Sequence, residues 1–261
     1  MDNLLLDIQT IGAMQRHLLP RDVPQPAGWQ VAVHYRTGQW PGGDYYDFLS
    51  LSDGRIVFLI ADASDQGGPA AALVAMVRVF MHSCPLTSGR EQSSFCPLQG
   101  EVVQTPHIIL GNLNGIVVEN SLEEQSMSAF CGVLSPLEGT LHFANAGHPS
   151  PRWWHARSRT VETLRYAVGL PLGIDLRAAY HHKRVQIEPG DVLLFYTSGV
   201  STARSSRRDV FGLERLDAAL NQSARHGAEA VKSEVLARLE DFLDERTPQD
   251  DVTFVVMQRR E

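Results

Sequence analysis

Short apolar runs that begin or end on acidic residues limit most strongly how this chain can fold. Ile56–Ala61 runs into Asp62, Asp250 and Asp251 lead into Val252–Met257, and Gly42-Gly43-Asp44-Tyr45-Tyr46-Asp47 carries two carboxylates through a glycine turn. Runs of six residues rich in Val, Ile and Phe are too short for buried helices and read as strands. A strand holds a carboxylate at its end still and can aim it into a cleft. Converging carboxylates repel one another unless a cation lies between them. Mg²⁺ and Mn²⁺ prefer such oxygen ligands. These residues point to a hydrolase that works with a divalent metal.

The rest of the pattern supplies a frame. Leu4, Ile8, Ile11, Met14, Leu18 and Leu19 predict a helix over about 3–19, stopped by Pro20. Strands are expected at 29–35, 46–51, 55–61, 127–134, 140–145, 151–155, 161–164, 181–187, 192–197 and 252–258. Helices are expected from Gly67-Gly68-Pro69 to about Ser83, and at 106–119, 213–225 and 228–245. The first of these is apolar nearly all round, which predicts burial. Residues 84–105 lack periodicity and read as a loop. Strands before and after helices, without repeat or linker, give one α+β domain with helices covering sheet faces.

Charge and composition exclude several classes. The net charge of −7 argues against general nucleic-acid binding, and the short basic stretch Arg204–Arg208 reads as a solvated loop. Three cysteines, Cys84, Cys96 and Cys131, form no close pairs, which disfavours a disulfide framework or zinc site and fits a cytoplasmic protein. No apolar run reaches the roughly 18 residues of a membrane span. Met1-Asp2-Asn3 lacks the basic start of a signal peptide.

Five constellations carry possible chemistry. Gly43 lets backbone approach a ligand beside Asp44 and Asp47. Asp62-Ala63-Ser64-Asp65-Gln66-Gly67 is a strand-to-helix loop that can present carboxylate and carbonyl oxygens together, or simply cap the helix. In Asn145-Ala146-Gly147-His148-Pro149, His148 is expected to support a turn with its ring bonded to backbone. Ser198-Gly199 closes a buried strand, but Tyr196 two residues before Ser198 breaks the Gly-x-Ser-x-Gly pattern of a nucleophilic serine. Asp250-Asp251 is the fifth. His181-His182 have only a weak claim as ligands.

Taken in order, these residues resemble the SpoIIE/RsbU-type branch of the metal-dependent serine/threonine phosphatases (PPM, type 2C). Gln15-Arg16-His17-Leu18-Leu19-Pro20 resembles the family's helix ending in Leu-Leu-Pro. Gly42–Asp47, Asp62–Ala70 and Asn145–Pro149 match further family motifs. So do Pro189-Gly190-Asp191, Tyr196–Val200, Phe211–Leu216 and Asp250–Thr253. The resemblance implies a four-layer α-β-β-α sandwich of two mostly antiparallel sheets flanked by helices. It implies a phosphatase domain over 21–261, after an N-terminal helix at 1–20 that is a possible dimerisation or regulatory element. It also implies a centre of two Mn²⁺ or Mg²⁺ ions held by Asp44, Asp62, the Ala63 carbonyl and Asp250. Asp47, Asp65, Ser198 and Asp251 are further candidates, and Gly43, Gly67, His148 and Gly199 shape the site. A metal-bound water would attack phosphoserine or phosphothreonine, so no side-chain nucleophile is required.

Two departures stand out. The family aspartate in Tyr-Thr-Asp-Gly is Ser198 here, which removes an anionic ligand. The glycine of the Asp-Val-Ser-Gly motif is Asp65, a residue that tolerates left-handed backbone better than most. Two readings follow: an active phosphoprotein phosphatase, with a phosphorylated anti-sigma-factor antagonist as a candidate substrate, or a pseudophosphatase that binds a partner without turnover. The apolar N-terminal stripe needs a cover, either its own domain or a second copy in a homodimer.

Overall fold

The structure, a computed structural model, describes residues 10, 12–39, 42–83, 105–121, 125–166 and 168–260. Its strands are β1 (Trp29–Arg36), β2 (Asp44–Ser50), β3 (Ile56–Ala63), β4 (Met127–Ser135), β5 (Thr140–Ala146), β6 (Arg152–His155), β7 (Thr160–Thr163), β8 (Lys183–Gln186), β9 (Val192–Tyr196) and β10 (Val252–Arg259). The helices are α1 (Gly68–Ser83), α2 (Pro106–Asn120), the short α3 (Ser198–Ser201), α4 (Gly212–Ser223) and α5 (Ala228–Leu243). Packing groups the chain into two compact units. One comprises Met1–Arg21, Gly42–His148 and Tyr166–Gln186; the other comprises Asp22–Pro41, Pro149–Arg165 and Ile187–Glu261.

The first unit is built on a five-stranded sheet in the order β2-β3-β4-β5-β8, antiparallel at every pairing. Phe58, Phe130 and Phe143 stack in succession across β3, β4 and β5, at centroid spacings of 6.0 and 5.3 Å. Helix α1 buries Leu73, Val74, Val77, Phe80 and Met81 but leaves Val79 67% exposed, so it is covered on one face and not all round as its composition suggested. Residues 12–18 are helical. Their buried side is Gly12 and Gln15, followed by Leu19, while Met14 is 62% exposed. The buried side is therefore rotated from the expected stripe there, and Arg78 of α1 donates to the Leu18 carbonyl at the end of this turn. Residues 3–9 and 11 of the expected helix, and the expected loop up to 104, lie outside the described residues.

The second unit has a five-stranded sheet in the order β1-β10-β9-β6-β7, again all antiparallel. Leu216, Ala219 and Leu220 of α4 and Val231, Val235 and Leu239 of α5 share a core with Leu194, Phe254 and Val256. Burial at i, i+3 and i+4 on these helices reflects their amphipathic stripes. Asp244, in left-handed backbone at φ 52°, closes α5 two residues before the expected end. Asp191 of the Pro-Gly-Asp turn is structural: it accepts from the Trp153 indole at 3.0 Å and the Ala156 amide at 2.8 Å. Arg152 grips Asp217 in a two-bond fork, each bond 2.6 Å, and so ties β6 to α4. The expected α+β class, with two antiparallel sheets and helices against them, is the class found. Among the described residues no helix is long and apolar enough to cross a membrane.

Candidate metal centre

In the first unit the strands run further than their apolar residues indicated. β2 begins at Asp44 and β3 continues to Ala63, because their ladder pairs Asp44 directly with Asp62. Cross-strand pairing thereby overrides the poor strand propensity of aspartate. Directly opposed residues share a sheet face, with Cβ atoms roughly 4.5–5.5 Å apart. Two like charges so placed destabilise a sheet unless something positive compensates. Asp44 is 1% exposed and Asp62 partly buried, which sharpens the repulsion.

Gly43 completes the arrangement. A Cβ there would lie 3.0 Å from the Ala63 carbonyl oxygen and 3.2 Å from Asp62 Oδ1. Its own carbonyl accepts the Ala63 amide at 3.0 Å. The missing side chain leaves space beside two oxygens that suit a hard cation, so this donor set fits Mg²⁺ or Mn²⁺.

Asp47 is not brought to this pair. It sits three residues from Asp44, so the strand pleat turns it to the opposite face. There it accepts from the Tyr45 hydroxyl at 2.5 Å and from the Phe48 amide at 2.8 Å, and lies 2.6 Å from His82 Nε2. Burial, and secondarily the Asp47 carboxylate, push the Tyr45 phenol well up from its ordinary value. Asp47→Ala is expected to leave the phenol proton without its acceptor and cost about 1–2 kcal/mol of stability, since an unpaired buried donor carries its desolvation penalty. Metal affinity measured by calorimetry should be unchanged. A metal-binding loss without a lower melting temperature would return Asp47 to the ligand set.

Two more candidates have other work. The Asp65 carboxylate accepts from the Gln125 amide at 2.9 Å. Asp65 is not in left-handed backbone; in this loop Gly67 is, at φ +72°. The His148 ring lies 2.9 Å from the Ser128 hydroxyl. Its backbone is clasped by Asn145, which accepts from the His148 amide at 2.8 Å and donates to its carbonyl at 2.9 Å. Ser128 pairs across the sheet with Asp62, so the histidine reaches the position facing that carboxylate. Ser128 and His82 had no sequence signal, because isolated side chains of these types occur everywhere.

In the second unit Asp250 and Asp251 divide their roles. Asp251 is fully buried and accepts the Gly38 amide at 2.9 Å, which spends one oxygen on the fold. Asp250 Oδ1 accepts the Asp251 amide at 2.9 Å. Burial raises the Asp250 carboxyl above its usual range, against the lowering effect of that bond. Ser198 opens α3, and its carbonyl accepts from the Thr202 amide and hydroxyl, each at 2.9 Å. A Cβ on Gly199 would stand 1.9 Å from the Asp251 carbonyl oxygen and 3.3 Å from Asp250 Cβ. The Ser198-Gly199 turn is therefore pressed against the Asp250-Asp251 turn. Among the described residues no three His, Cys, Asp or Glu side chains gather as a metal-holding group. The first unit offers the Asp44–Asp62 pair, the second Asp250.

Comparison with known proteins agrees with this frame. The SiaA-PP2C domain of Pseudomonas aeruginosa superposes with a TM-score of 0.76 at 18% identity, covering 98% of this chain and 96% of that one, which shows a PP2C-type fold. The family model for stage II sporulation protein E (SpoIIE) matches residues 52–260, and the chain belongs to that family. Phosphoserine phosphatase RsbU of Bacillus subtilis is 26% identical over 97% of this chain and 70% of its own length. Protein IcfG of Synechocystis is 24% identical over 97% of this chain; the match spans 42% of IcfG, less than half of that relative.

Proposed function

We propose that this protein is a metal-dependent phosphatase that hydrolyses phosphoserine or phosphothreonine in a protein substrate. The observation that carries the reading is the cross-strand register that sets Asp44 opposite Asp62, a like-charge pairing that a cation between them would offset. Family membership and the name of RsbU support the reaction class. Asp44, Asp62, the Ala63 carbonyl and Asp250 would hold Mn²⁺ or Mg²⁺. When bound, such ions lower the pKa of water and offset phosphoryl charge. Gly43 keeps the space beside these oxygens open, and the Asp44–Asp62 ladder fixes two of them before substrate arrives. The buried bond from Gly38 to Asp251 anchors the turn that carries Asp250.

A phosphorylated anti-sigma-factor antagonist is the proposed substrate, in a cytoplasmic partner-switching pathway. Residues 21–261 would form the phosphatase domain, with the helix at 1–20 as a regulatory or homodimerising element.

Ser198 favours a second reading, a pseudophosphatase that binds its partner without turnover, because an uncharged hydroxyl replaces a family carboxylate. Hydrolysis of a phosphoserine protein and of p-nitrophenyl phosphate, with and without Mn²⁺, decides between them. Wild type is expected to be active with one weakly held metal. Ser198→Asp should tighten that metal by roughly tenfold or more, since the ion is the largest local charge. An inert wild type made active by Ser198→Asp would establish the pseudoenzyme.

A further inference from the structure

The basic stretch set aside as solvated loop lines a cavity of the second unit. This cavity is a half-open cleft of about 700 Å³ next to the start of β10, and its walls include Arg204, Arg208, Arg246, Ser205, Thr247 and Gln249. No carboxylate lines it among the described residues, and none of the three arginines forms an ion pair there. In a chain of net charge −7 this is a local reversal of sign.

The loop is held in shape. The Ser205 carbonyl accepts the Arg208 amide at 3.0 Å, and its hydroxyl accepts the amides of Arg207 and Asp209, each at 3.2 Å. Arg208 is kept in left-handed backbone, φ 67°, which few non-glycine residues adopt. The cavity also adjoins the proposed metal-ligand turn. Gln249 precedes Asp250 in sequence, and the Gln39 amide donates to the Pro248 carbonyl at 2.9 Å.

Guanidinium forks match carboxylates and phosphates, and arginine clusters recognise acidic and phosphorylated peptide segments. A cleft of this size lies in the range of roughly 300–1,000 Å³ that holds drug-sized ligands, more than one small anion needs. We propose that it docks an acidic stretch of the substrate polypeptide flanking the phosphorylated residue. The inference rests on the proposed function for the word substrate, and on the cavity alone for the docking.

A second arginine-lined cavity provides a matched control. It encloses about 350 Å³ at the far end of β10 and includes Arg159, Arg225 and Arg260. It carries the same number of arginines in half the volume, and Trp154, Ala156 and Gly190 take the place of the serine and threonine walls, which leaves less room and fewer polar partners for a peptide.

The test is binding of a fluorescent, acidic phosphoserine peptide to the whole chain in chelator-treated buffer, read by anisotropy. Arg204→Ser/Arg208→Gly/Arg246→Ser is expected to weaken binding by roughly tenfold or more and to flatten its salt dependence. Arg159→Ser/Arg225→Ser/Arg260→Ser, with the same change in net charge, should alter it by less than about twofold. Arg208→Gly places glycine where the backbone is already left-handed, so folding should not suffer. Arg246→Ser alone should weaken binding by about threefold and covers the case of an unfolded triple variant.

Equal weakening in both triple variants, or none in the first, would overturn the proposal. So would displacement of the peptide by inorganic phosphate as effectively as by unlabelled peptide, which would mark a simple anion site. Turnover plays no part in this readout. A wild type that binds the peptide but hydrolyses nothing would sink the proposed activity and leave the docking site in place.

Discussion

Asp62→Asn lowers metal-dependent hydrolysis of a phosphoserine protein by roughly a thousandfold and slightly stabilises the metal-free fold; both results are expected from one change. Asparagine keeps the volume of the side chain and its place in the β2–β3 ladder opposite Asp44. Removing one of two opposed negative charges relieves a repulsion worth a few tenths to about 1 kcal/mol. The same change removes a charge that the ion would use, and lost catalysis of that order follows from the weight of metal charge in phosphoryl transfer. Thermal unfolding with and without Mn²⁺ separates the two effects. At about one hundred times its Kd a metal stabilises the native state by about 2.7 kcal/mol, so wild type should melt higher with Mn²⁺ and the variant should not. If Mn²⁺ raises both melting temperatures equally, Asp62 is no ligand and the assignment of the centre fails.

Gly199→Ala is the largest expected effect on stability. The added Cβ would meet the Asp251 carbonyl oxygen at 1.9 Å and its carbonyl carbon at 3.0 Å, backbone atoms that cannot rotate away. Either α3 or the start of β10 must move, and overpacking of this kind costs about 3 kcal/mol. For a chain of this size that is a fall of about 10 °C in melting temperature. Gly111→Ala is the control. It lies on α2, where a Cβ would meet nothing within 4 Å, and it should gain up to about 1 kcal/mol from helix propensity. Calorimetry showing Gly199→Ala within 1 °C of wild type would mean that the turn yields far more readily than its packing indicates.

Much of the architecture was legible because strands announce themselves in short β-branched runs. The runs at 56–61 and 252–257 lie inside β3 and β10. The ends were less legible. β2 starts at Asp44, two residues before the expected strand, because its pairing extends beyond its apolar residues. The same register decided which candidates belong together. Asp44 and Asp47 read alike in sequence, both in one glycine-led motif, yet the pleat sends one toward Asp62 and the other to Tyr45 and His82. Asp250 and Asp251 are equally alike as letters. Only the fold gives Asp251 to the Gly38 amide.

The sequence by itself determined the α+β class, the order of the strands and of the long helices, and the short list of oxygen-bearing residues, since these depend on local periodicity and composition. Tertiary structure alone decided which carboxylates face one another, that the Asp65 backbone is not left-handed, and that the Arg204–Arg208 stretch joins Arg246 around one cavity. The reason is physical: side-chain facing is set by register and by contacts between residues far apart in the chain, and no window of neighbouring residues contains that information.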